Sequence, residues 1–157
     1  MNKNSKLDSI KVCKVRESAK LPHKTHSGDA GFDVFYCPDS QDAAFINTND
    51  CKILPTGLKV RFPQNYVLEI KNRSGMASKG LLVGACIVDS TYSGEIFINL
   101  HNVSNVQKKI LPGDKIAQFL IYEIESPEIL EVSEDDIKKL HENSSRKDGA
   151  FGSTGNT

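Results

Sequence analysis

The chain has no tryptophan, few aromatic residues (7%) and no net charge, because 20 Lys and Arg balance 20 Asp and Glu. A protein that holds nucleic acid through bulk electrostatics needs a basic surplus, so no nucleic-acid partner is expected. Nothing approaches eighteen consecutive apolar residues, so no membrane span is expected either. Cysteine is sparse: Cys13, Cys37, Cys51 and Cys86 form no CxxC pair, which argues against a zinc site. The leading MNKNSKLDS is polar and carries no signal-like apolar run. The expectation is therefore free thiols and a cytoplasmic (or, in a eukaryote, nuclear) protein that is not secreted. There is no internal repeat and no GxxxxGKS/T phosphate loop.

What is present is a series of short β-type segments. The 157 residues suit a single domain with one core. Strands are expected at Ile10 to Val15, at Gly31 to Tyr36, at Leu58 to Phe62 and at Tyr66 to Ile70. Leu58, Val60 and Phe62 alternate, as do Ile96, Ile98 and Leu100. The apolar run Leu81 to Asp89 and the segment Glu95 to His101 read as a hairpin. Pro112-Gly113-Asp114 reads as a turn into a long strand, Lys115 to Ile124. Residues 38–50 (PDSQDAAFINTND) read as a polar surface excursion. Lys71 to Gly80 breaks the β pattern and has room for one or two helical turns. Only Ser133 to Leu140 carries the signature of a longer helix: a capping box, then Ile137 and Leu140 three apart. The expected fold is all-β, a sandwich or barrel, with the β core over 8–124, a polar stretch with a short helix over 133–145, and a tail over 146–157.

Five places carry residues suited to chemistry. Asp33 interrupts an apolar strand, where a carboxylate needs a partner or a solvent-facing position. Arg73-Ser74-Gly75 precedes a short helix; this is phosphate-binding chemistry or an ordinary helix start. Asp89 ends an apolar strand with Tyr92 just beyond it. A carboxylate on a rigid hairpin suits proton abstraction from water, although Asp, Ser and Gly also make plain turns. Gln118 lies in an apolar strand, so its amide requires a partner or a ligand. The tail RKDGAFGSTGNT offers Arg146, Phe151, Gly152, Ser153 and Thr154: a guanidinium fork, a ring for stacking, glycine and hydroxyls. It is a nucleotide-covering flap or a loose end.

Taken in order, these places resemble the five motifs of the trimeric deoxyuridine triphosphatase (dUTPase) family. They are AGFD (Ala30 to Asp33), RSGMASKG (Arg73 to Gly80), GACIVDSTYSGE (Gly84 to Glu95), PGDKIAQ (Pro112 to Gln118) and RKDGAFGSTG (Arg146 to Gly155). The resemblance implies a distorted jelly-roll, barrel-like fold and a homotrimer with active sites between subunits. It implies hydrolysis of dUTP to dUMP and pyrophosphate with Mg²⁺ held largely by the substrate's phosphates. Such an activity keeps uracil out of DNA and supplies dUMP for thymidylate synthesis. By the same resemblance Asp89 is the general base, and Arg73, Ser74, Gly75 and Gln118 bind phosphate. Backbone at Ala85 and Ile87 reads the uracil edge, and Tyr92 packs on the deoxyribose. Arg146, Gly152, Ser153 and Thr154 clasp the outer phosphates, and Phe151 covers the base. Asp33 acts on the metal indirectly, through water.

The sequence departs from the family pattern at Asn72, Cys86, Thr91, Ser93 and Lys147-Asp148. Thr91 and Ser93 stand where an acid and a base are usual, which removes local ion-pair support from the turn after Asp89. Two other readings remain at this point. One is a deaminase of the same fold acting on dCTP. The other is a nucleotide-gated binding module that uses 38–50 or 133–145 to engage a protein.

Overall fold

The computed structural model describes residues 7–140. In chain order its elements are β1 (Lys11–Lys14), β2 (Phe32–Phe35), β3 (Ala44–Ile46), β4 (Asp50–Pro55), β5 (Leu58–Arg61), β6 (Tyr66–Lys71), α1 (Ser74–Ala77), β7 (Leu81–Gly84), β8 (Ile87–Val88), β9 (Phe97–Asn102), β10 (Lys108–Ile110), β11 (Lys115–Glu123) and α2 (Glu134–Leu140). The chain divides into two units, Met1–Glu125 and Ser126–Thr157, and all the described strands lie in the first. No described helix is long and apolar enough to cross a membrane.

Every strand pair in the first unit is antiparallel. A four-stranded sheet runs β2-β11-β6-β8 and a three-stranded sheet runs β4-β9-β7; β1 pairs with β5, and β10 with β3. Alternation sends Ile98 and Leu100 of β9 and Leu68 and Ile70 of β6 into one core, which Ile116, Ala117 and Phe119 of β11 join. This is the all-β fold of the expectation, without a closed barrel. In the second unit, Ser133 caps α2: its Oγ accepts from the Asp136 N–H at 3.2 Å.

Two expectations need correction. Residues 38–50 are a surface excursion only in part. Ala44 and Ile46 are buried, and β3 pairs with β10. Three residues of strand are too short to display a period, so composition misled. Deleting this segment would remove core side chains, not a detachable loop. The second correction concerns Leu81 to Asp89, which is two strands. β7 pairs with β9 as expected, but β8 crosses to β6. The break falls at Ala85, whose φ is 49°, in the left-handed region that costs a residue with a Cβ about 1–2 kcal/mol. There the Ile70 N–H donates to the Cys86 carbonyl at 2.6 Å.

One bulge decides where functional side chains point. Between β2 and β11 the register runs Lys115↔Phe35, then Ala117↔Val34, then Gln118↔Asp33. Ile116 is therefore the extra residue. Cross-strand partners share a face, so the bulge brings Lys115 and Gln118, three apart in sequence, onto the face of Asp33.

The end of β9 is fixed by Asn102, which is fully buried. Its Nδ2 donates to the carbonyls of Ile46, Asn47 and Val106 at 3.0, 3.1 and 2.8 Å. Its Oδ1 accepts from the Ser104 N–H and Oγ at 3.0 and 2.7 Å. Asn102→Ala would orphan several buried backbone groups at once. A loss of about 3 kcal/mol in urea-denaturation stability is expected, and a loss below about 1 kcal/mol would show these groups to be satisfied by other means.

Candidate active site

The residues singled out in the sequence fall into two clusters. The first is built on the bulged end of β11. Asp33, on β2, is buried (8% exposed) and its two oxygens face different cations. Arg73 Nε donates to Oδ1 at 2.7 Å, and Lys115 Nζ pairs with Oδ2 at 2.7 Å. Thr25 Oγ1 adds a donor to Oδ2 at 3.2 Å. Arg73 also donates through Nη1 to the Lys115 carbonyl at 3.3 Å. Gln118 Nε2 donates to the Asn72 carbonyl at 2.9 Å, which fixes the residue just before Arg73. The close approach of Gln118 requires Gly31: a Cβ there would lie 2.3 Å from Gln118 Oε1. Ser74 and Gly75 open α1 directly after Arg73, both exposed, and a Cβ on Gly75 would meet open space. The result is a rigid basic ledge with exposed small residues beside it.

Burial alone would push the Asp33 carboxyl up. The Lys115 hydrogen bond and the Arg73 charge outweigh it and hold the group below its ordinary value of 3.8.

The second cluster lies where β8 ends. A cavity of about 200 Å³ is lined by Ile70, Ala85, Ile87, Val88, Asp89, Tyr92, Glu95, Ile96 and Phe97. A turn closed by the Tyr92 N–H donating to the Asp89 carbonyl at 3.0 Å carries Asp89 and Tyr92. Asp89 is exposed, and its carboxylate has no hydrogen bond or ion pair among the described residues. Glu95, the other carboxylate of this cavity, is fully engaged. Its oxygens take the Arg16 guanidinium at 2.5 and 3.0 Å, and Oε1 also takes the Gly57 N–H at 2.7 Å. Of the two acids lining this cavity, only Asp89 is left free among the described residues to accept a proton from water.

The structure thus brings Ala85, Ile87, Asp89 and Tyr92 together, and separately Asp33, Arg73, Ser74, Gly75 and Gln118. The two clusters do not meet within one chain. Val88 pairs with Leu68 in the early part of β6, whereas Arg73 follows the end of β6. Along an extended strand that separates them by about 15–20 Å. Arg146, Phe151, Gly152, Ser153 and Thr154 lie outside the described residues. Sequence reasoning missed Lys115 and Thr25, which bind Asp33, and Arg16, which binds Glu95. Lys115 and Glu95 stood inside the motifs; nothing local marked Arg16 or Thr25.

Because the folded-state pKa of Asp33 lies below the unfolded one, its ion pairs stabilise the protein fully above about pH 4 and are lost as pH falls through the lowered value. Asp33→Asn should cost about 2 kcal/mol at pH 7, and the gap from wild type should close in acid. Denaturation midpoints between pH 7 and pH 2.5 measure both; a gap that stays constant over that range would detach the effect from ionisation.

Comparison with known proteins places the chain in a family. The dUTPase family profile matches residues 17–155. The deoxyuridine 5'-triphosphate nucleotidohydrolase of Hydrogenobaculum sp. (strain Y04AAS1) is 37% identical over 147 residues, covering 92% of this chain and 96% of that protein. That of Clostridium tetani (strain Massachusetts / E88) is 35% identical over 150 residues, covering 94% and 97%. Among solved structures, a mutant dUTPase from phage phi11 of S. aureus, described with a structural Mg(II) ion, superposes with a TM-score of 0.73 at 25% identity, over 81% of this chain and 98% of that one. A Staphylococcus bacteriophage 80alpha dUTPase mutant with dUpNHpp reaches a TM-score of 0.81 over 95% and 99%; at 24% identity it shows the fold alone. The family profile spans nearly the whole sequence, and both relatives exceed 30% identity over more than nine-tenths of it: the chain belongs to the dUTPase family.

Proposed function

We propose that the protein hydrolyses dUTP to dUMP and pyrophosphate, with Asp89 as general base. The observation that carries this reading is the free carboxylate of Asp89 in a cavity whose other acid is neutralised. Asp89 takes a proton from a water, the water oxygen bonds the α-phosphorus in line, and the bond to the β-phosphate oxygen breaks to release pyrophosphate. The backbone at Ala85 and Ile87 reads the uracil edge. Its left-handed residue at Ala85 is the kind of local strain that functional slots retain. Tyr92 packs on the deoxyribose.

Arg73, Ser74, Gly75 and Gln118 take the phosphates, where charge develops during attack. Asp33 supports them by holding Arg73 and Lys115 in place. Since base and phosphate ledge sit some 15–20 Å apart along β6, one chain does not supply a whole site. A homotrimer with sites between subunits joins the ledge of one copy to the cavity of another. Arg146, Phe151, Gly152, Ser153 and Thr154 of the tail complete it.

The donor set also suits Mg²⁺. No three His, Cys, Asp or Glu side chains converge on a metal position among the described residues. Both Asp33 oxygens already accept from side chains, so Asp33 would reach the ion only through water. A Mg²⁺ ion that keeps several waters and arrives on the triphosphate fits such a surface, and it supplies charge neutralisation there. A deaminase acting on dCTP needs a second carboxyl group free to serve the base, and Glu95 is not free.

Asp89→Asn is expected to lower kcat for dUTP by about 10³-fold while retaining binding of a non-hydrolysable dUTP analogue. Pyrophosphate release across the deoxynucleoside triphosphates is the assay. Wild-type turnover in the variant would remove the base assignment, and ammonia release from dCTP would favour the deaminase.

A further inference from the structure

One ion pair outside the nucleotide-contacting groups reaches the cavity from behind. Arg16 lies just past β1 and does not line the cavity. Its guanidinium spans both oxygens of Glu95, at 2.5 and 3.0 Å, and its Nε pairs with Asp39. The Gly57 N–H fixes Glu95 from another direction, at 2.7 Å. The Glu95 backbone carbonyl in turn accepts from the Tyr92 hydroxyl at 2.9 Å. The Tyr92 ring lies so close to the chain at residue 94 that only glycine fits. A Cβ on Gly94 would be 2.3 Å from the Tyr92 hydroxyl oxygen.

The turn between Asp89 and Gly94 has little other support. Thr91 and Ser93 are exposed and carry no charge. A long contact from Arg61 Nη1 to the Ser90 carbonyl, at 3.4 Å, is its remaining side-chain tie among the described residues. Tyr92 is 45% exposed, so packing alone does not hold the ring. Its hydroxyl is tied to the Glu95 carbonyl, whose peptide also donates the Ile96 N–H to the Leu58 carbonyl at 2.8 Å, and the Glu95 side chain is held by Arg16 together with the Gly57 N–H.

We propose that Arg16 is a positioning residue for sugar selection: by clamping Glu95 it fixes the Tyr92 ring as an unyielding wall against a ribose 2′-hydroxyl. This rests on the dUTP reading of the cavity. Rejecting a substrate that is larger by one hydroxyl is steric, and a steric wall discriminates only as far as it resists displacement. The planar fork of Arg16 grips both Glu95 oxygens at once; a lysine keeps the charge but not the two-point grip.

The test compares kcat/KM for dUTP and for UTP in wild type, Arg16→Lys, Tyr92→Phe and the double variant, with melting temperatures alongside. Arg16→Lys should lower the dUTP-to-UTP ratio by about tenfold, mainly through a lower KM for UTP, with kcat for dUTP little changed. Tyr92→Phe cuts the bond to the Glu95 carbonyl, so adding Arg16→Lys to it should lower the ratio no further. An unchanged ratio in Arg16→Lys, or an additive effect in the double variant, overturns the proposal. Loss of stability with an unchanged ratio likewise overturns it and leaves Arg16 a purely structural residue. Wild-type protein that turns over no dUTP instead refutes the function reading beneath it.

Discussion

Strand β6 is hydrogen-bonded along both edges, to β11 on one side and to β8 on the other, and its length spaces the parts of the site. An antiparallel strand paired on both sides cannot slide, because a one-residue slip would turn Leu68 and Ile70 out of the core. The cations at its far end and the free carboxylate near its start are therefore held at a fixed separation. That separation is about 15–20 Å along the strand. In the proposed reaction this length is the reason for a site shared between copies.

Two buried or half-buried carboxylates anchor the two clusters, and each is matched to an arginine. Asp33 holds Arg73; Arg16 holds Glu95. A carboxylate in a part-buried place is costly without a partner and a good anchor with one. The chain uses this twice to fix loops that the sheets do not reach, at the start of α1 and at the turn after β8. Asp89 has no such partner among the described residues, which is what the proposed role as general base needs. Asp89 and Glu95, six residues apart on one cavity wall, thus differ: Glu95 is tied to Arg16 and the Gly57 N–H, and Asp89 is untied among the described residues.

Much of this was legible in the sequence, though unevenly. β5 and β9 could be read because one face of each is buried and alternation records it, and β11 by its apolar length after the Pro112-Gly113-Asp114 turn. β4 could not: its side chains are mostly exposed, Ile53 at 66%, so no alternation marks it. The short β3 and β10 depend on each other and on Asn102, not on their own composition. Candidate site residues were identifiable by type and motif. Their pairings were not, since Arg16 and Glu95 are 79 residues apart and the Lys115–Asp33 contact depends on a bulge at Ile116. Bulges leave no signature in a strand whose inner residues, Ile116 and Ala117, are simply both apolar.

Charge balance connects the ledge to the rest of the proposed reaction. Arg73 and Lys115 bring two positive charges and Asp33 removes one, so the cluster offers a single net positive charge to an incoming triphosphate. A stronger basic cluster would bind phosphate without help, but unpaired neighbouring cations would repel one another in a half-buried place and would hold the pyrophosphate product as firmly as the substrate. A weakly charged ledge leaves the remaining neutralisation to other groups. In the proposed reaction these are Mg²⁺, arriving on the substrate, and Arg146 on the tail. Zero net charge for the whole chain is compatible with the anionic substrate of the proposed reaction, because the ledge itself is locally positive.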